Sequence, residues 1–339
     1  MLHRRFICPV GQGGFSIEKI EGFTVVFDCG SSTSSNMVKN CIDHLSDFLL
    51  DHVDILFISH FDMDHVNGIR SLLESTRVRR AVTPMIPREL RVAFNQYTNG
   101  AYEAIMRILT QEDLDLEVEE VGEQDGPRSY YNKGRKSIWE WTARSMMERS
   151  EFERVTEFLG TNGFDLHRLD DADYLEQEKT MVNEAFKKMF GGKGPNAKGL
   201  VVLSQKCKGV STGICETWCG RHCCNRVIHI GDHKESSCLY VGDADLRNRQ
   251  NNKRLKVFLQ THMNEKMLLL MQIPHHGSQY SIGARFEADF PARLYFLNDK
   301  DTVRLQKKTA LFASLTSHGK LLLVSGVCSE GVSTETVIH

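Results

Sequence analysis

Apolar positions along this chain fall into two rhythms, and the boundary between them divides it into three blocks. Phe23-Thr24-Val25-Val26-Phe27 is a β-prone run that stops at Asp28-Cys29-Gly30 and reads as a strand. Ile55-Leu56-Phe57-Ile58, flanked by Asp54 and Ser59, is a short continuous apolar run. Such a run is expected of a strand buried on both faces, here one that delivers His60 at its end. Val66 to Thr76 has the spacing of a helix. Strand character returns at Gly199–Gln205, Ser237–Gly242, Met267–Ile273, Arg293–Leu297 and Lys320–Ser325. Between these ends, residues 85–195 are rich in Glu, Arg, Met and Leu at helical spacing, as in Tyr102–Leu109 and Thr142–Leu159. They read as a helical insertion or cap that ends at Gly191-Gly192-Lys193-Gly194-Pro195. The blocks are therefore 1–84, 85–195 and 196–339, with a Cys-rich loop or extended hairpin at 207–236. Strands separated by helices in both outer blocks imply a layered α/β fold. Trp139 and Trp141 read as core or interface residues of the middle block.

Composition narrows the picture only a little. Of 339 residues, 41% are hydrophobic and 25% charged, as in an ordinary globular protein with a sizeable core. The net charge of −2 provides no global basic field for a long nucleic acid. Arg77-Val78-Arg79-Arg80 and the stretch Arg247 to Lys256 read as solvated faces. The apolar stretch after Met1-Leu2-His3-Arg4-Arg5 is too brief for a signal sequence, and no segment suffices for a membrane span. A cytoplasmic protein with no membrane partner is the expectation. Six of the ten cysteines crowd between Cys207 and Cys238 instead of spreading as a disulfide framework. Cys215, Cys219, Cys223 and Cys224 suggest a structural zinc ion pinning this loop; a set of reduced thiols is the plainer reading.

Candidate chemistry sits where apolar runs end. His60, Asp62, Asp64 and His65 lie within six residues, between an expected strand and an expected helix. Imidazole and carboxylate together suit Zn²⁺, Mn²⁺ or Fe, and two of each can hold two ions. The plain alternative is that Asp62 only caps the helix. Leu239-Tyr240-Val241-Gly242-Asp243-Ala244-Asp245 presents Asp243 at a strand end, as a bridging ligand, with Asp245 a weaker candidate. Gln272-Ile273-Pro274-His275-His276-Gly277-Ser278 follows another apolar run and adds two imidazoles.

The order His-x-Asp-x-Asp-His, Gly-Asp, His-His-Gly-Ser resembles the metallo-β-lactamase superfamily, with the closest likeness to the hydrolase domain of competence DNA-uptake (ComEC-like) proteins. Val10 to Ser16, Phe27-Asp28-Cys29-Gly30 and Asn196 to Val202 add to that resemblance, which covers residues 5–84 and roughly 196–330. It implies an αββα sandwich with two divalent metal ions, Zn or Mn, at one edge of its sheets. His60 and Asp62 would face one ion, and Asp64 and His65 the other. Asp243 would bridge, His275 would complete the second site, and Asp28 would support the site from behind. This chain departs from the pattern in three places. Asp62 stands where many members have His, which makes the site richer in oxygen and favours Mn²⁺. No extra site-one histidine is identifiable, since His167, His222, His229 and His233 all lie in unmatched segments. Asn298-Asp299-Lys300-Asp301 stands where a His-Pro is expected.

The implied activity is metal-dependent hydrolysis by an activated hydroxide, as a phosphodiesterase or nuclease acting on nucleotide or nucleic-acid phosphodiesters. Asp64 or Asp243 would orient the attacking oxygen and His276 would donate to developing charge. Ser278 is more readily an ordinary turn residue than a phosphate ligand. Two other readings remain: a non-catalytic regulatory or scaffold subunit with its protein partner on the helical insertion, or a hydrolase of amide or thioester bonds.

Overall fold

The computed structural model describes residues 1–44, 52–132, 137–192, 194–221, 226–278, 280–299, 314–315, 317–325 and 331–338. The chain opens with three antiparallel strands, β1 (Leu2–Ile7), β2 (Phe15–Ile20) and β3 (Phe23–Cys29). A short β4 (His52–Val53) pairs with β6 (Arg77–Val78), while β5 (Ile55–Phe57) and β7 (Arg80–Pro84) run parallel to β3. Next come β8 (Glu117–Val121), β9 (Arg128–Tyr131) and β10 (Trp139–Ser145). The last block supplies β11 (Leu200–Lys206), the hairpin β12 (Thr212–Arg221) and β13 (Arg226–His233), and β14 (Cys238–Tyr240). It ends with β15 (Leu268–Gln272), β16 (Ala292–Asp299), β17 (Leu321–Ser325) and β18 (Gly331–Ile338).

These strands form a nine-stranded sheet ordered β13-β12-β18-β1-β2-β3-β5-β7-β8 and a seven-stranded sheet ordered β17-β16-β15-β14-β11-β10-β9. Alternation along each strand assigns its side chains to layers. Val25 and Phe27 of β3, Trp139 and Trp141 of β10 and Leu200 and Val202 of β11 share one apolar cluster between the sheets. Val26 turns outward to helices 35–44, 69–75, 91–97, 101–109, 149–161 and 179–189. Val201 and Leu203 turn outward to the helix Arg249–His262 on the other side. The result is an αββα sandwich. Strands buried on both faces account for the unbroken apolar runs of the sequence. Among the described residues, no helix is long and apolar enough to cross a membrane.

One charged group lies at the centre of the inter-sheet layer. Glu18 of β2 is fully buried and accepts from Arg5 Nε at 2.6 Å, Trp141 Nε1 at 2.9 Å, Ser204 Oγ at 2.5 Å and Tyr240 Oη at 2.8 Å, with His3 Nε2 at 3.1 Å. Its partners come from both sheets, so the carboxylate fixes how the sheets face each other. A buried ion pair is tolerable only when so fully bonded.

The middle block corrects an expectation. Residues 85–195 are not a purely helical insertion: β8 extends the first sheet, and β9 and β10 form one side of the second. Thr142 to Ser145, expected as helix, belong to β10. Trp139-Glu140-Trp141-Thr142-Ala143 alternates, and its Trp and Ala side chains fill the inter-sheet core. Pairing with β11 overrides the local helical spacing. The helix there starts only at Arg149, after a capping box between Glu148 and Glu151.

In the Cys-rich stretch, β12 and β13 extend the edge of the first sheet. Cys215 is buried in the inter-sheet apolar cluster, where burial pushes its thiol up. Among the described residues it belongs to no group able to hold a metal ion. Cys219 lies on β12, and Cys223 and Cys224 lie outside the described residues.

Candidate metal centre

Every group of the centre sits where a strand of the parallel portions ends, the place at which α/β sheets leave side chains free of the ladder. The end of β3 carries Asp28, whose backbone turns left-handed (φ 52°). β5 leads into Ser59-His60, and a single helical turn, Met63–Val66, carries Asp64 and His65. β14 leads through Gly242 (φ 50°) to Asp243, and β15 leads to His275 and His276. A Cβ on Gly14 would lie 2.7 Å from His65 Nδ1 and 2.9 Å from Asp28 Cβ, so only glycine lets the opening turn pack beneath the centre.

The four histidines are oriented alike. His65 Nδ1 lies 2.7 Å from Asp28 Oδ2, and His276 Nδ1 lies 3.0 Å from the Asn298 carbonyl. Both partners only accept, so both Nδ1 atoms carry hydrogen. His60 Nδ1 lies 2.9 Å from Ser59 Oγ, which itself donates to Asp28 Oδ2 at 2.7 Å, so this Nδ1 donates as well. His275 Nδ1 lies 3.2 Å from Ser281 Oγ. Every ring therefore has its Nε2 left to face the centre.

Those Nε2 atoms converge on one carboxylate. Asp243 Oδ2 lies 3.8 Å from His60 Nε2 and 3.8 Å from His275 Nε2. Asp243 Oδ1 lies 3.3 Å from His65 Nε2 and 3.9 Å from His276 Nε2, and His276 Nε2 is 3.0 Å from Asp64 Oδ2. Asp62 Oδ2 is 3.7 Å from His60 Nε2. Two donor sets are close enough to hold an ion: His60, His65 and Asp243, and Asp64, His65 and His276. His60 Nε2, His65 Nε2 and Asp243 Oδ1 are buried without a hydrogen-bond partner, the 3.3 Å approach of the last two being misaligned. Buried polar atoms left unpaired cost about 1–3 kcal/mol each. Three at one point, all of ligand type, fit divalent cations.

Electrostatics bears the same mark. Burial opposes charge on Asp243, yet His65, His60 and His276 outweigh it and hold the carboxyl well below the usual range. Burial also raises Asp64, but the hydrogen bond from His276 and the charge of His65 bring it down to about 2. Burial lowers His65, and the Asp28 and Asp243 carboxylates reverse this, pushing it well above its usual value. Burial, followed by its His65 neighbour, holds His60 down.

Asp62 occupies the N-cap position of the turn Met63–Val66, yet its side chain makes no capping bond and is held instead by Asn196. His275, expected to complete the second site with Asp64 and His65, falls instead beside the Asp243 oxygen that faces His60, and His276 is the histidine that joins Asp64 and His65; Asp62 and His275 belong to neither donor set. Asp245 is buried and accepts from Arg247 N at 3.1 Å, outside both donor sets. Ser278 Oγ accepts from Tyr280 N at 3.4 Å within the turn. Residues missed by the sequence reading are the anchors. Ser59 ties Asp28 to His60, the Asn298 carbonyl fixes His276, and Gln272 Oε1 accepts from Val241 N and Gly242 N at 2.9 Å each. Their one signal was position, each adjoining an expected strand end.

The metallo-β-lactamase MIM-1 from Novosphingobium pentaromativorans aligns over 92% of this chain and 87% of its own at 12% identity, with a TM-score of 0.35. The chemotaxis sensor ODP, in a peroxy diiron species, aligns over 42% of this chain and 48% of its own at 18% identity and a TM-score of 0.28. Rubredoxin oxygen:oxidoreductase from Desulfovibrio gigas aligns over 42% and 33%, at 14% identity and a TM-score of 0.28. Similarity at this level says nothing about what this chain acts on. Among curated proteins none matches. Residues 16–134, the stretch that carries Asp28 and His60 through His65, match the family model of the metallo-beta-lactamase superfamily, and this is the family likeness that the chain carries.

Proposed function

We propose that this protein is a metal-dependent hydrolase of phosphodiesters, acting on nucleotides or nucleic acid. The observation that carries the metal dependence is the convergence of four Nε2 atoms, each ring held from behind through Nδ1, on the two oxygens of Asp243. His60, Asp62, His275 and Asp243 would hold one ion, and Asp64, His65, His276 and Asp243 the other. Bound divalent ions supply Lewis acidity and make water a nucleophile near neutral pH.

The chain's own residues set the stage for that chemistry. Asp28, Ser59 and the Asn298 carbonyl fix ring orientation and tautomer before any ligand arrives, which avoids reorganisation during reaction. Asp64 and Asp243 stay ionised, so either can accept a hydrogen bond from an attacking water and orient it. Three carboxylates at one point repel an anionic diester in the ion-free protein, so substrate binding is expected to require cations. The phosphodiester class rests on the resemblance of His60 to His65, Gly242-Asp243 and His275 to Ser278 to the ComEC-like hydrolases. The small net charge favours short or cyclic substrates over long duplexes, whose binding relies on many Lys and Arg contacts.

Elemental analysis of the purified protein, paired with hydrolysis of bis(p-nitrophenyl) phosphate under Zn²⁺ and Mn²⁺, tests the proposal. About two metals per chain and turnover abolished by Asp243→Asn are expected. Absence of metal and of turnover with either ion would instead support a scaffold protein. Turnover confined to amides or thioesters would overturn the substrate class.

A further inference from the structure

Asn196 reaches the candidate centre from a distant part of the chain. Its Nδ2 donates to Asp62 Oδ1 at 2.5 Å, a bond that joins residues 134 positions apart. A carboxylate only accepts, so the amide must present its NH₂ side. In that orientation Asn196 Oδ1 is buried and has no hydrogen-bond partner. An amide that bonds Asp62 while its own acceptor stays unpaired is constrained by its surroundings, and the constraints are visible.

Asn196 lies in a 3₁₀ turn, Pro195–Lys198, entered through Gly194. Gly194 adopts φ 79° and ψ −179°, a conformation that is essentially confined to glycine, and a Cβ there would collide with Tyr97 Oη. Tyr97 ends the helix Arg91–Tyr97 of the middle block. Its phenol is pushed up to about 12 by burial and by the Asp62 carboxylate. The turn is also tied to both strand ends of the centre. Ala197 O accepts from Asp245 N at 2.8 Å, and Ser59 O accepts from Leu200 N at 2.7 Å. The buried pair of Lys198 and Glu151 fastens it to the helix Arg149–Thr161.

We infer that Asn196 is a positioning residue, which aims Asp62 at the ion held by His60 and sets the affinity of that one site. The inference rests on the metal-binding reading above. Asp62 gains nothing from its helix, since it makes no capping bond, and 42% of its side chain is exposed. Without Asn196 the carboxylate would rotate among solvated rotamers. His65 and His276 are anchored through Nδ1 to Asp28 and the Asn298 carbonyl and do not depend on Asn196. Loss of Asn196 therefore acts, through Asp62, on the ion proposed beside His60 and not on the other. Partners of this kind typically govern metal affinity by about 10- to 100-fold.

Stepwise binding of Mn²⁺ and of Zn²⁺ to the full chain, followed by calorimetry, tests this. Asn196→Ala and the similarly sized Asn196→Leu should weaken one step about 10- to 100-fold and leave the other within about twofold. Asn196→Gln, which keeps the amide, should recover part of the loss, and melting temperatures should stay near wild type. Two undisturbed steps would overturn the inference. Equal weakening of both steps with a fall in melting temperature would reduce Asn196 to a structural role and also overturn it. If the wild-type chain binds neither ion, the metal-binding reading itself fails and takes this inference with it, an outcome distinct from the other two.

Discussion

Asp28 Oδ2 stands 2.7 Å from His65 Nδ1, and the same carboxylate accepts both the backbone N and the hydroxyl of Ser59. One left-handed residue near the end of β3 thus orients two imidazoles, His65 directly and His60 through Ser59. Asp28→Asn keeps the size and the tolerance for positive φ but places an NH₂ group among donors. We expect metal affinity to fall about 10- to 100-fold with little loss of fold. Competition with a chelating dye measures it; unchanged affinity would show that Ser59 alone suffices.

Asp243 faces histidines of both donor sets and His65 belongs to both, so removal of either should differ in kind from that of the other candidate ligands. Asp243→Ala is expected to abolish both binding steps, whereas His275→Ala should spare the step that depends on Asp64, His65 and His276. Elemental analysis of the dialysed variants separates these outcomes.

Gly30 lies against the backbone of the metal motif. A Cβ there would sit 2.6 Å from Asp64 C, His65 C and Val66 N, atoms that cannot move like the tip of a flexible side chain. Gly30→Ala should cost about 1–3 kcal/mol through overpacking, and weaken metal binding at the same time. Urea denaturation and dye competition on one sample would report both; a stable variant with intact affinity would refute the coupling.

Glu18→Gln removes the charge opposite Arg5 in the buried layer between the sheets. Breaking one member of a buried pair costs about 3–5 kcal/mol, because the other charge is left uncompensated. The melting temperature should fall well below that of wild type, and Glu18→Gln with Arg5→Met should regain part of the loss.

The same carboxylate predicts a pH dependence. Burial raises Glu18, but Arg5 and His3 reverse this and hold its folded-state value far below normal. The unfolded chain therefore takes up the proton first. The stabilisation is complete above about pH 5 and is lost progressively as pH falls through the ordinary glutamate value near ~4.3 towards the folded one. Acid titration of wild type against Glu18→Gln should show the wild-type advantage shrink over that range. A constant difference would contradict the assignment.

Much of the centre was legible before any coordinates. His60, Asp64, His65, Asp243 and His276 follow strands whose apolar runs are visible, and a strand end is where a side chain can leave the ladder. The anchors were not legible, since a Ser, a Gln and a backbone carbonyl carry no motif. Asn196 was noticed only as part of a strand that resembled the family's. In the middle block, helical spacing was mistaken for a whole helical insertion. Trp139 and Trp141 alternate like a strand, but only β11 alongside shows which rhythm governs.

The sequence by itself determined the layered α/β class, the strands that carry the candidate centre and the chemical type of its candidate ligands, because these depend on local periodicity and side-chain chemistry. Tertiary structure decided which oxygen of Asp243 each histidine faces, and that β8, β9 and β10 complete the sheets. It also brought Asn196 to Asp62 and closed five partners around Glu18. Those relations join residues tens to hundreds of positions apart, and no local rhythm encodes them; they arise only when two sheets pack and each buried polar group must find a partner.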